Sequence, residues 1–90
     1  MKKCIITVVG KDTVGIIAKV CTYLAENQIN ILDISQSIVL GYFNMMMITD
    51  MDHATKEIGD IFTELEKLGE DIGVTIRSQR AEIFEKMHRL

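Results

Sequence analysis

The segment GKDTVGIIAKV, residues 10–20, comes nearest to having the residue types and spacing of a chemical site. Its two glycines stand five positions apart, and a lysine follows the first of them. A phosphate-binding loop needs Lys and then Ser or Thr directly after its second glycine, to reach the phosphates and a magnesium ion. Ile16 and Ile17 follow Gly15 here, so those side chains are missing. The segment instead predicts a tight backbone turn into the N-terminus of a helix.

The elements on either side of this turn follow from the spacing of apolar residues. The β-branched residues of segment 2–9 predict a strand that ends before the turn. An amphipathic helix then begins after Asp12 or Thr13, either of which can cap it, and it ends near Asn27. The turn is therefore placed between a strand and a helix.

The second half of the chain has the same alternation of strands and helices. Residues 29–40 and 43–49 are separated by a short turn and predict an antiparallel hairpin. Apolar residues at helical spacing over 58–68 predict a second helix, and Gly69 is in position to stop it. Residues 74–79 alternate apolar and polar side chains and predict a fourth strand.

The resulting order, β-α-β-β-α-β, predicts an α+β, ferredoxin-like fold. With right-handed crossovers it gives a four-stranded antiparallel sheet with two helices on one face. We assign residues 1–80 to this single domain. Residues 81–90 return to helical spacing and predict a C-terminal helical extension, whose apolar stripe should dock on the protein.

Composition narrows the function further. The chain has 90 residues, 48% of them hydrophobic, and a formal net charge of -3, which gives nucleic acid no basic face to bind. The sequence contains no run of eighteen apolar residues, the length needed to cross a membrane, and its N-terminus does not resemble a signal peptide. We expect a cytoplasmic protein in which Cys4 and Cys21 are small buried hydrophobic residues.

Three known activities of this fold require residue patterns that the sequence lacks; its first strand has no aromatic residue, and Phe43 at the start of the third strand is isolated. A copper chaperone needs paired cysteines in the first loop, an RNA-binding sheet needs aromatic residues on its central strands, and an acylphosphatase needs an arginine in the first loop. No nucleophile and base stand at a readable spacing, and His53 and His88 are isolated. We expect no enzyme activity, no cofactor and no metal, with a small hydrolase as the weaker alternative.

Two short motifs resemble those of ACT domains. Residues 11–16, KDTVGI, are similar to the D-R-P-G-[IVL] opening of that family, with Val14 in place of the usual proline. Residues 27–31, NQINI, are similar to its G-x-N-I signature, with Gln28 where glycine is common. The likeness covers about residues 3–79. It implies a regulatory, non-catalytic domain that binds an amino acid and acts on a metabolic or transcriptional partner.

The resemblance also implies where the ligand binds. The backbone N–H groups of Gly15 and Ile16, at a helix N-terminus, are suited to a carboxylate. Asp12 can meet the ammonium group, and Asn30 can bridge both groups because its amide both donates and accepts. A purely structural role stays open: Gly15 makes the turn, Asp12 caps the helix, and Asn30 takes a left-handed conformation.

Both faces of the predicted sheet have apolar residues. Residues 4–9 and 43–48 place large apolar side chains at odd and at even positions, whereas the two helices can cover only one face. An apolar face left in water is unusual for a monomer. We expect a homodimer or a higher homo-oligomer, and the alternative to a ligand sensor is an interaction protein that acts through this surface without a small ligand.

Overall fold

The computed structural model describes residues 1–11 and 14–82, which form four strands and two helices. None of the described helices is long and apolar enough to cross a membrane. The elements are β1 (Lys3–Lys11), α1 (Ile16–Glu26), β2 (Asn30–Val39), β3 (Tyr42–Asp50), α2 (Ile58–Ile72) and β4 (Val74–Arg80).

The four strands form one antiparallel sheet in the order β2-β3-β1-β4. β1 lies in the centre, with Lys3 opposite Asp50 of β3 and Cys4 opposite Arg80 of β4. β2 and β4 are the two edges of this sheet. The ferredoxin-like order expected from the sequence is confirmed.

Side chains that alternate along the strands form the core under the helices. On β1 they are Cys4, Ile6 and Val8, all completely buried. They pack with the inner faces of both helices, and the helix residues in this core are Ile16, Val20, Leu24, Ile61 and Leu65. We call the opposite side of the sheet, which includes Ile5 and Val9, the open face.

The second helix is longer than the sequence suggested. Gly69 does not stop α2, which continues to Ile72 and is capped by Gly73 in a left-handed conformation, with φ 80°. A Cβ atom on Gly69 would lie 2.8 Å from the carbonyl oxygen of Val74 and 2.9 Å from Cγ1 of Ile76. Gly69 therefore allows α2 to pack closely on β4 and is not a helix terminator.

The C-terminal extension is described only at its beginning. Ala81 and Glu82 are helical, and Ala81 is buried directly after β4. The apolar stripe expected to dock lies in residues 83–90, outside the described residues.

A polar contact joins the two helices where their surfaces meet. The Tyr23 hydroxyl of α1 donates a 2.7 Å hydrogen bond to Glu64 of α2, and Lys56 donates to both carboxylate oxygens of Glu64 at 2.8 and 2.9 Å. The bonds from Lys56 and then Tyr23 lower the pKa of the Glu64 carboxyl. Partial burial, followed by the bond to Glu64, raises the pKa of the Tyr23 hydroxyl.

Because of this contact, we expect the stability of the fold to decrease at acidic pH. A carboxyl whose pKa is lowered in the folded state stabilises the fold above its unfolded pKa, and the contribution disappears as pH falls through the folded pKa. Because the ordinary pKa of Glu64 is 4.5, the loss should occur below that pH. Glu64→Gln should remove the part of the pH dependence that Glu64 contributes, so its urea midpoint should change less between pH 7 and pH 3 than that of the wild type. Glu66→Gln, an exposed change on the same helix, is the control and should keep the wild-type dependence.

Candidate functional site

Gly15 forms the start of α1 in a conformation that side chains disfavour. Its φ of 91° and ψ of 0° lie in the left-handed region, and it is the N-cap residue of the helix. The Gly15 carbonyl accepts the first helical bond, from the N–H of Lys19 at 3.0 Å. The helix therefore begins later than the caps expected at Asp12 or Thr13. Gly15 is at the cap because only a residue tolerant of positive φ can make this turn.

The N-terminus of α1 presents donors to whatever approaches it. The first N–H groups of a helix have no intrahelical partner, and those of α1 follow Gly15 directly. Among the described residues, no side chain caps this end and no acidic residue lies in the first turn. A Cβ atom placed on Gly15 would meet no atom of residues 1–11 or 14–82 within 4 Å, so these residues leave the surface open there. The arrangement suits a small anion bound by backbone N–H groups.

The residues around this turn are only partly described. The Ile16 side chain is buried in the core, so Ile16 can offer its backbone N–H but not its side chain. Val14 is fully exposed beside Gly15. Asp12, expected to meet an ammonium group, lies outside the described residues.

Asn30 is the first residue of β2 and is exposed. It lies opposite Asp50 of β3, in extended backbone. The left-handed residue before this strand is Gln28, with φ 57°, so the structural alternative for Asn30 is wrong. Gln28 stands where the resembled motif commonly has glycine, which is consistent with that backbone conformation. The backbone conformation before β2 therefore does not explain why residue 30 is an asparagine.

The sequence did not identify Asn27 as the residue that fixes the connection between α1 and β2. Its side-chain Nδ2 donates to the carbonyl of Tyr23 at 2.9 Å, and its Oδ1 accepts from the Thr55 hydroxyl at 3.0 Å. Its own carbonyl accepts from the Thr55 N–H at 3.1 Å. Because Thr55 lies far along the chain, no local pattern indicated this contact. Asn27 is buried and holds the start of β2 in place.

Within one chain, the two halves of the expected site lie at opposite ends of the sheet. Asn30 is level with Asp50 and Lys3, whereas the turn follows Lys11, which pairs with Tyr42. Eight residue steps of about 3.4 Å put the two ends of β1 about 27 Å apart. An amino acid is much shorter than this. The turn and Asn30 of a single chain therefore do not form one pocket.

The β2 edge presents apolar side chains that no described element covers. Ile34 and Ile38 lie opposite the buried Met47 and Phe43, so they point to the side of the sheet where the helices pack. They are nevertheless 43% and 60% exposed. A ten-residue edge strand with this composition has unpaired backbone groups and an apolar rim, which together favour pairing with another strand.

The described residues contain little that could perform catalysis. Cys4 is completely buried, and its burial raises the pKa of the thiol above the ordinary value, which makes it a poor nucleophile. Within residues 1–11 and 14–82, no three His, Cys, Asp or Glu side chains are grouped to hold a metal ion. Binding through backbone donors is the chemistry that the turn at Gly15 can support.

Comparison with known proteins decides the family. A family model described as "ACT domain" matches residues 2–79. The chain belongs to the ACT domain family. A UPF0237 protein of Bifidobacterium longum is 64% identical to it over 90 residues, covering all of both chains. ACT domains are generally regulatory and not catalytic, and they commonly bind small ligands and oligomerise.

Solved structures of other proteins have the same fold as this ACT domain. An ACT domain protein from Streptococcus pneumoniae is 43% identical, with a TM-score of 0.82, and the alignment covers 93% of this chain and 94% of that one. The regulatory subunit of aspartate kinase from Thermus thermophilus is 25% identical with a TM-score of 0.67, covering 88% of this chain and 51% of that one. The fold and the resemblance noted in the sequence are confirmed.

Proposed function

We propose that this ACT domain binds a free amino acid between two copies of the chain and regulates a metabolic or transcriptional partner according to whether the amino acid is bound. The observation that supports it most is the helix N-terminus at Gly15, where no described side chain caps the first N–H groups and a Cβ atom on Gly15 would meet no described atom within 4 Å. An amino-acid carboxylate suits those donors. The likeness to a regulatory subunit of aspartate kinase supports the regulatory role.

The positions of the turn and Asn30 favour a site shared by two copies. β2 runs in the same direction as β1, because both pair antiparallel with β3. If two β2 edges pair antiparallel about a two-fold axis perpendicular to the sheet, the strand of one copy is reversed relative to the other. Asn30 of the partner subunit then lies at the end of the sheet where this chain has Gly15. The two halves that lie at opposite ends of one chain then share one end of the dimer's sheet, where three strand spacings, about 14 Å, separate the partner's β2 from β1.

Each residue has a role in this site. The N–H groups of Gly15 and Ile16 bind the carboxylate. Asp12 binds the ammonium, and the amide of Asn30 from the partner subunit bonds to either group. A homodimer with two such sites accounts for the exposed apolar edge of β2.

The first test is calorimetry with the twenty amino acids on the wild-type chain. We expect one or a few to bind, and Asp12→Ala and Asn30→Ala each to weaken binding roughly tenfold to a hundredfold, the loss of one charge-assisted hydrogen bond. Circular dichroism checks that both variants remain folded. If no amino acid binds below millimolar concentration, the ligand proposal is wrong, and regulation through the oligomer surface alone becomes the better account.

Mixing the two variants tests whether a site is shared. In a dimer with one Asp12→Ala chain and one Asn30→Ala chain, one site has both wild-type residues and the other has neither. After unfolding and refolding the mixture, about a quarter of all sites should regain wild-type affinity, since about half of the dimers are mixed. Each variant refolded alone is the control. Binding that does not recover would place both residues in one chain's site or outside it.

A further inference from the structure

Burial on the open face differs sharply between its two ends. Ile5 is only 4% exposed, although its side chain points away from both helices. It pairs with Ile48 and Gln79, and both of these are partly buried. Four residues along the same strand, Val9 is 46% exposed on the same face. The protected end is the end at which β4 finishes.

Side chains within the sheet do not account for this protection. In a sheet, neighbouring side chains stand roughly perpendicular to it and beside one another, so a nearly inaccessible residue needs a cover above it. Among the elements that the structure describes, both long helices pack on the other face. The chain leaves β4 at Arg80, beside Ile5, and Ala81 and Glu82 begin a helical turn there.

We propose that residues 83–90 of the same chain dock on this end of the open face, over Ile5 and Ile48. The segment IFEKMHRL has four large apolar residues at helical spacing: Ile83, Phe84, Met87 and Leu90. As a helix it extends about 12 Å, and crossing from β4 to β3 takes about 10 Å, so it is long enough to reach both residues.

The occupant is the chain's own tail because of where that tail begins. Gln79 lies directly opposite Ile5, so the tail starts one strand away from the residue that it covers. A tail docked there prevents a second sheet from packing on this end of the open face. The free edge of β2, on the far side of β3, stays available for assembly.

Nuclear Overhauser spectra of the full-length wild-type protein test the contact directly. In a uniformly ¹³C-labelled sample, the methyl groups of Ile5 should show contacts to side chains of residues 83–90. In a mixture of labelled and unlabelled copies, filtered to show only contacts between copies, those signals should be absent. Contacts confined to the filtered spectrum would show a partner's tail and overturn the proposal, as would no contacts in either sample.

A thermodynamic cycle provides the second measurement. In the full chain, Ile5→Val should lower the melting temperature by about 4–8 °C, because it removes a buried methyl group. In a chain that ends at Glu82, the same change should have about half that effect or less, since Ile5 is then exposed. Val9→Ala, on the exposed end of the same face, should have equal effects at both lengths. Equal effects of Ile5→Val at both lengths would contradict the proposal; if the shortened chain does not fold, the spectra decide.

Discussion

Gly69→Ala should destabilise the protein by about 1–2 kcal/mol, even though alanine is the better helix former. The added methyl group would lie 2.8 Å from the carbonyl oxygen of Val74 and 3.2 Å from the backbone nitrogen of Ile76. Neither backbone atom can move without separating α2 from β4. Alanine favours the helix by about 1 kcal/mol, which offsets only part of this overpacking. Differential scanning calorimetry should show a melting temperature lower by about 4–16 °C.

The same helix offers a matched control for this substitution. Gly59 lies in the first turn of α2, and a Cβ atom there would meet no described atom within 4 Å. Gly59→Ala should therefore leave stability unchanged or raise it by up to about 1 kcal/mol. If both variants behave alike, the close approach of α2 to β4 does not limit the size of residue 69.

The arrangement of elements was predictable from the sequence because local patterns determine it. Each helix has its apolar residues at helical spacing, and β4 alternates apolar and polar residues. The glycine turn before α1 was also predictable, since glycine between a strand and a helix favours it, although the cap was expected at Asp12 or Thr13 and lies at Gly15. In each case the residues that decide the structure are close together in the chain.

The errors concern residues whose role depends on distant parts of the chain. Gly69 looks like a helix terminator, and only its packing against β4 shows why the helix continues past it. Asn27 looks like an ordinary C-terminal helix residue until its bonds to Thr55 are seen. The separation of Asn30 from Gly15 follows from strand direction and register, which no single segment determines.

In the proposed dimer, Ile34→Lys should separate the two copies into monomers, weakening self-association at least about a hundredfold. Ile34 lies near the middle of β2, so a two-fold axis through paired β2 edges places it close to its own copy. Two lysines brought together there repel each other, and such like-charge contacts cost several kcal/mol. Because Ile34 is already 43% exposed, the monomer should keep nearly its full stability. Sedimentation equilibrium measures the change in mass, and urea unfolding measures the stability.

The same substitution separates assembly from ligand contact. Ile34 is not among the proposed ligand contacts, yet Ile34→Lys should abolish amino-acid binding in calorimetry, because each site of the proposed dimer needs Asn30 from the partner subunit. Thr75→Lys, which adds the same charge on the exposed β4 edge, should leave both the mass and the binding unchanged. A monomeric Ile34→Lys protein that binds the amino acid with wild-type affinity would show that one chain holds a complete site. The β2 edge would then serve assembly alone, and the contacts that bind the ligand would have to lie near Gly15 within a single subunit.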